Sequence, residues 1–127
     1  MIERISPPGA PSPRGPYSPA VRAGDFIYIS GQGPVDPETD RLSTGDIRHE
    51  TRLVLSNIRR ILASCGAAMS DVVKCTVFLA DAAEFGAMNE VYGEFFGDNK
   101  PARTTVEAKF VAPMRVEIDC VAYKPRQ

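Results

Sequence analysis

A guanidinium in the middle of a short β-forming segment, Pro101-Ala102-Arg103-Thr104-Thr105-Val106-Glu107, is the first place where this chain could do chemistry. Arginine grips a carboxylate through two parallel N–H···O bonds, a geometry lysine does not match. The β-branched residues mark a strand, and Pro101 fits only at its first position or on an edge. Alternation puts Ala102, Thr104 and Val106 on one face, and Arg103, Thr105 and Glu107 on the other. The small neighbours leave open space around the guanidinium. Arg103 is therefore read as the anchor for a small carboxylate ligand. The plainer alternative is an Arg103–Glu107 ion pair on a wet sheet face.

Other polar groups are fewer. Gly15-Pro16-Tyr17-Ser18-Pro19 brings an aromatic hydroxyl into a stiff turn, where a packed ring with its OH satisfied is the plainer reading. Asn89 lies beside the apolar stripe of a helix, either on the surface or aimed at a pocket. Gly31, in Ser30-Gly31-Gln32-Gly33, permits a backbone bend or the close approach of another group. Neither GxxxxGK[ST] nor GxGxxG occurs, so a nucleotide loop is not indicated. Cys65, Cys75 and Cys120 are odd in number and lack CxxC spacing, and His49 is the single histidine. A disulfide framework, a metal site and a cofactor are all unsupported by that inventory, and the thiols read as small buried hydrophobes.

The elements that must position these groups follow from periodicity. Residues 1–16 hold five of the eleven prolines, an extended arm that cannot sit inside a sheet. Ala20 to Ser30 reads as two strands joined at Gly24-Asp25, followed by a turn-rich loop over Pro34 to Asp40. Asp46 to Cys65 is a helix burying Ile47, Val54, Ile58, Ile61, Leu62 and Cys65. Arg48, Glu50, Arg52, Arg59 and Arg60 are left for solvent, with Ser43 or Thr44 as cap and Gly66 at the end. Val72 to Leu79 is a strand with Val73, Cys75, Val77 and Leu79 on one side, and Val72, Lys74, Thr76 and Phe78 on the other. Ala82 to Phe96 is a second helix whose stripe of Phe85, Met88, Tyr92, Phe95 and Phe96 is core, ended by Gly97. Pro101 to Ala108 and Met114 to Tyr123 are the last strands. In the final one Val116, Ile118, Cys120 and Ala122 meet the helices, while Arg115, Glu117, Asp119, Val121 and Tyr123 face away.

Each of these two strands thus carries an apolar face and a charge-bearing face. The expected architecture is an α+β sandwich, a mixed sheet with two helices packed on one face. Its other face, with valine, threonine and tyrosine among charges, suits an oligomer interface in which the charges are paired or engage a ligand.

At 127 residues the chain suits one domain, 1–127. Hydrophobic residues at 43% and charged ones at 24% are ordinary globular usage, which sets aside disordered and fibrous classes. Fifteen basic residues against sixteen acidic ones give a net charge of −1. That balance offers no field for a nucleic-acid backbone or an anionic membrane. Without an apolar run of spanning length or a signal-peptide core after Met1, a soluble cytoplasmic protein is the default expectation.

Five motifs in order, Gly15-Pro16-Tyr17-Ser18, Ile29-Ser30-Gly31-Gln32, Met88-Asn89-Glu90-Val91-Tyr92, Pro101-Ala102-Arg103-Thr104 and Val116-Glu117-Ile118-Asp119, resemble the RidA/YjgF family of enamine/imine deaminases. The resemblance covers nearly the whole chain. It implies a chorismate-mutase-like α+β fold assembled as a homotrimer, with three ligand clefts between neighbouring subunits. It places the carboxylate-binding arginine on Arg103, the cleft tyrosine on Tyr17, the glycine that contributes backbone on Gly31 and the cleft asparagine on Asn89. The cysteine usual two residues after the arginine is Thr105 here, a change that a backbone role tolerates. The water-holding acid, usually glutamate, falls on Asp119. Aspartate is shorter by about 1.5 Å, one C–C bond, and a misplacement of that order costs about a hundredfold in rate.

The implied reaction converts 2-aminoacrylate, through its imine tautomer, or a small 2-imino acid such as 2-iminobutanoate, to a 2-keto acid and ammonia. Arg103 would fix the carboxylate, Asp119 would position or deprotonate water, and Tyr17 would assist in hydrogen bonding or proton transfer. Two other readings compete. One is a non-catalytic binder of small carboxylates on the same cleft; the other is a chaperone-like interaction protein. RNA cleavage is also attached to family names, but neither a basic stripe nor a pair of catalytic histidines is present.

Overall fold

The computed structural model describes residues 1–126. Eight strands and two helices follow in the order β1 (Ile2–Ile5), β2 (Ala20–Ala23), β3 (Phe26–Gln32), β4 (Val35–Asp36), β5 (Arg41–Leu42), α1 (Ile47–Ser64), β6 (Val72–Leu79), α2 (Phe85–Phe96), β7 (Ala102–Glu107) and β8 (Val116–Tyr123). Six strands form one mixed sheet in the order β1-β2-β3-β8-β6-β7, and β4-β5 make a small hairpin. Only β6 and β7 run parallel, which requires the crossover that α2 supplies.

Both helices lie on one face. Val54, Leu55, Ile58, Ile61 and Leu62 of α1 and Met88, Tyr92 and Phe96 of α2 bury against Ile27 and Ile29 of β3, Cys75, Val77 and Leu79 of β6, and Val116, Ile118, Cys120 and Ala122 of β8. The opposite face carries no helix and exposes Phe26, Tyr28 and Tyr123.

Several boundaries fall where local chemistry puts them. Gly24, with φ of +62°, makes the β2–β3 turn. Gly66 is left-handed with φ of +77°, and the N–H groups of Gly66 and Ala67 donate back to Ala63 and Leu62. This closes the end of α1 as a Schellman motif. Gly97, with φ of +54°, ends α2.

Other expectations are corrected. Asp46, not Ser43 or Thr44, caps α1, accepting from the His49 N–H at 2.8 Å. The proline arm begins with a strand, β1, which takes an outer edge where proline-free residues 2–5 can pair. The turn-rich loop contains β4, and β5 follows directly after it. A register shift between Val72 and Lys74 buries Val72 and exposes Val73, the reverse of strict alternation. Phe85 is not core: it is 45% exposed.

Glu50 is not a solvent residue either. It is 1% exposed, and its carboxylate accepts from the Gly45 N–H at 3.1 Å and the Arg115 N–H at 2.7 Å. It therefore fastens α1 to the approach of β8. Glu50→Ala leaves two part-buried backbone donors without their carboxylate, and a loss of about 2 kcal/mol in urea unfolding is expected. A change under about 0.5 kcal/mol would show that the bonds are replaced by water.

The thiols sit mostly inside. Cys75 and Cys120 are register partners across β6 and β8, both buried, and burial pushes both thiols up. Cys65 is half-buried at the end of α1, where the buried Arg22 guanidinium donates to its carbonyl at 3.2 Å.

Candidate active site

Arg103 lies on β7, the edge strand of the sheet. The parallel register sets Arg103 beside Cys75 and Thr105 beside Val77, residues that face the helices. Arg103 therefore points under α2 and not onto the open face with Asp119, which corrects the shared charge-bearing face expected from alternation. Its guanidinium carbon is 4.7 Å from the Tyr92 ring centroid and 5.4 Å from that of Phe85. Stacking on two rings orients the fork while leaving its in-plane N–H donors free.

Among the described residues, Arg103 makes no hydrogen bond or ion pair. The Arg103–Glu107 pair is not formed, because Glu107 accepts from the Ala82 N–H at 2.8 Å. Arg103 lines a cavity of about 320 Å³ with Asn89, Tyr92, Gly93, Phe96, Lys100 and Pro101, and that lining includes no carboxylate. The Asn89 Oδ1 and the Tyr92 hydroxyl are buried there without hydrogen-bond partners. Burial, and then the Cys75 thiol beside it, holds the Tyr92 hydroxyl firmly protonated. Unsatisfied buried oxygens next to an unpaired cation are what a ligand with both an anionic end and a donor would complete.

Tyr17 and Gly31 form a second place. They line a cavity of about 420 Å³ with Arg14, Gln32, Met114 and Glu117. Tyr17 is 45% exposed, so the packed-ring expectation is overturned; its oxygen accepts from the Arg14 N–H at 3.0 Å. The arm carrying it is pinned by Asp40, which accepts from the Ser12 N–H at 3.0 Å and from the Arg14 guanidinium at 3.1 Å. Those bonds hold the Asp40 carboxyl below its usual range.

Gly31 sits in the register shift between Ile29 and Gln32. A Cβ there would come within 2.4 Å of Glu117 Oε2 and 2.8 Å of its Cδ, so the glycine makes the seat for that carboxylate. Burial, and then the charge of Asp119, pushes the Glu117 carboxyl up.

Asp119 lies two residues further along the same open face, opposite Thr76 of β6, and is absent from the lining of either cavity. Thr105 is likewise outside both. Glu117 lies within one of the five motifs, but neither its residue type nor the family resemblance gives it a role. The signal was available: alternation alone puts it on Asp119's face.

The two cavities do not meet within one chain. Gly31 on β3 and Arg103 on β7 are three strands apart, roughly 14 Å at about 4.8 Å per strand. They also belong to opposite faces of the sheet. Among the described residues, no group of three or more His, Cys, Asp or Glu converges as metal ligands, and no helix is long and apolar enough to cross a membrane.

Residues 8–124 match the family model described as Endoribonuclease L-PSP. A RutC family protein of Pyrococcus horikoshii is 48% identical over 125 residues, 98% of this chain and 99% of that one. The 2-iminobutanoate/2-iminopropanoate deaminase of Dermatophagoides farinae is 42% identical, covering 92% of each. The 3-aminoacrylate deaminase RutC of Acinetobacter baylyi is 40% identical over 95% of this chain and 97% of its own. The crystal structure of a protein from Thermotoga maritima described as a putative endoribonuclease superposes with a TM-score of 0.93 at 40% identity, over 99% of this chain and 100% of that one.

Proposed function

Because the chain belongs to the Endoribonuclease L-PSP family, which includes the RidA/YjgF proteins, we propose that it is an enamine/imine deaminase. In this reading it acts in the cytoplasm, releasing ammonia and a 2-keto acid from small 2-imino acids such as 2-iminopropanoate and 2-iminobutanoate. One observation carries the reading: the Arg103 guanidinium, stacked on two rings beside the orphaned Asn89 oxygen, has no acid of its own. A substrate carboxylate supplies the missing partner and brings the adjacent C=N carbon to a fixed place. Fixing that carbon against a positioned water is a substantial part of what hydrolysis of an already reactive imine needs. The deaminase names of relatives at 40% and 42% identity support the same reaction class.

The Arg103 cavity and the Tyr17–Gly31 cavity become one site only if a second copy of the chain brings its Arg103 edge to the first copy's open face. A closed ring of three copies satisfies every such contact, and the aromatic residues left uncovered on that face suit burial there. In this assembly Gly31 offers backbone to the substrate, Tyr17 a hydroxyl, Asn89 an amide, Thr105 a backbone group, and Asp119 a site for water.

Freshly generated 2-iminopropanoate and 2-iminobutanoate test the proposal: ammonia release faster than in buffer is expected, from a species with the mass of three chains. Binding of 2-ketobutyrate without faster ammonia release would overturn catalysis in favour of a carboxylate-binding protein.

A further inference from the structure

A further cavity, of about 560 Å³, opens beneath the C-terminal end of α1, between that helix, β1 and the residues that follow β8. Its charge is one-sided. Arg22, Lys124 and Arg126 line it, and Glu3 is the one acid among the lining residues. Glu3 is already taken, because the Arg126 guanidinium pairs with it. Lys124 reaches Asp71 only at 4.0 Å, and the same Asp71 oxygen accepts from the Ala68 N–H at 2.8 Å. The whole chain carries a net charge of −1, so these cations are a local concentration and not a general bias.

Arg22 is the decisive member. It is 6% exposed and stands opposite the core residue Ile27 in register, so it runs into the helix-covered side of the sheet. Its guanidinium donates to the carbonyls of Gly24 at 3.3 Å, Lys124 at 2.8 Å and Cys65 at 3.2 Å. A guanidinium has five N–H groups, so two find no protein acceptor among the described residues. Carbonyls satisfy hydrogen bonds without cancelling charge, and among the described residues Arg22 has no ion pair. A buried cation without a counter-charge is costly. Tying down the end of α1 accounts for one cation. It does not account for Lys124 and Arg126 gathered beside it, where like charges repel.

We propose that this cavity binds a phosphomonoester, a small molecule whose phosphate sits among Arg22, Lys124 and Arg126 while its organic part rests on Ile5 and Pro125. Three cations against one acid leave a surplus of two positive charges in the lining. A phosphomonoester carries about −1.5 to −2 at pH 7, whereas a lone carboxylate answers only one of them. The planar fork of arginine suits phosphate oxygens in particular. The volume exceeds the need of a bare phosphate ion and lies in the range of small-molecule pockets, about 300–1,000 Å³.

The inference does not depend on the deaminase reading. The cavity lies by β1, the opposite edge of the sheet from β7, and on the face that carries the helices. The assembly proposed above uses the other face and the β7 edge.

Cys65 is a reporter already in place, since it lines this cavity and is the one thiol of the three that is not buried. Alkylation of Cys65 by iodoacetamide, followed by mass spectrometry, is timed with glucose 6-phosphate, AMP, inorganic phosphate or glucose at equal concentrations. At ten times its Kd, measured by calorimetry, an ester is expected to slow alkylation about tenfold, and glucose is expected to leave it unchanged. Protection by one ester alone upholds the site and identifies the organic part it prefers.

Arg22→Ala would leave three carbonyls without their donor and endanger the end of α1, so the test uses the double variant Lys124→Ala, Arg126→Ala. Both side chains are well exposed, at 39% and 61%. The double variant is expected to keep its circular dichroism spectrum and to bind the ester at least about tenfold more weakly. Equal protection by inorganic phosphate would overturn the ester in favour of a plain anion site. Protection by neither ester, or protection undiminished in the double variant, would overturn the site itself.

Discussion

Replacing Arg103 by alanine is expected to lower kcat/KM for 2-iminopropanoate by on the order of a hundredfold or more, with little change in fold. The guanidinium lies at a sheet edge, and among the described residues it holds no carboxylate, carbonyl or hydroxyl of its own chain. Its removal therefore orphans no protein group, and the loss should appear in substrate affinity and in turnover together. Arg103→Lys keeps a positive charge but loses the planar fork and the stacking on Tyr92 and Phe85, so it should recover only a small part of the loss. Steady-state ammonia release across substrate concentration checks both variants. Wild-type acceleration by Arg103→Ala would remove the anchor and leave a chaperone-like interaction role as the better account.

A charge placed at the centre of the open face is expected to abolish activity without touching either cavity. Val121 pairs with Tyr28 across β3 and β8 and with Lys74 on the other side, and it belongs to the lining of neither cavity. In the assembly proposed here, Val121→Arg buries an unpaired guanidinium in every protomer, at a cost of several kcal/mol each. Light scattering should then report a single-chain mass with native circular dichroism, and deaminase activity should fall to the buffer rate because Arg103 and the Tyr17–Gly31 cavity no longer meet. A Val121→Arg protein that is monomeric and fully active would show that one chain suffices.

The long periodic elements were legible because their burial is one-sided. Both helices, the β2–β3 hairpin and strands β6 to β8 lie close to where apolar spacing and glycine ends put them. The misses have local physical causes. Ile2 to Ile5 is exposed along nearly its whole length, so its sequence carries no face for periodicity to find. Val73 breaks alternation because one extra residue in β6 shifts the register, which no pattern of residue types announces.

The site shows the same division. Arg103 stood out by residue type, and Tyr17, Gly31 and Asn89 drew notice through the motifs that resemble the family, but the side of the sheet that Arg103 takes was not legible. Alternation says which residues share a face and is silent on which face α2 covers. Phe85 looked like core for the same reason. It lies at the rim of α2, where a guanidinium, not the sheet, covers its ring. Glu50 looked solvated because a charged residue on a helix usually is. Its two N–H partners come from Gly45 and Arg115, the latter 65 positions away.

The distribution of sulfur gives the molecule an unplanned experimental handle. With two thiols sealed between strands and helices and their protons held tightly, a maleimide dye meets Cys65 first, at the far end of α1. Each copy can thus carry one fluorophore with no engineered substitution. In the assembly proposed here, energy transfer between labelled copies would then measure how the subunits are spaced and how readily they exchange, with no dye placed in the Arg103 or the Tyr17–Gly31 cavity.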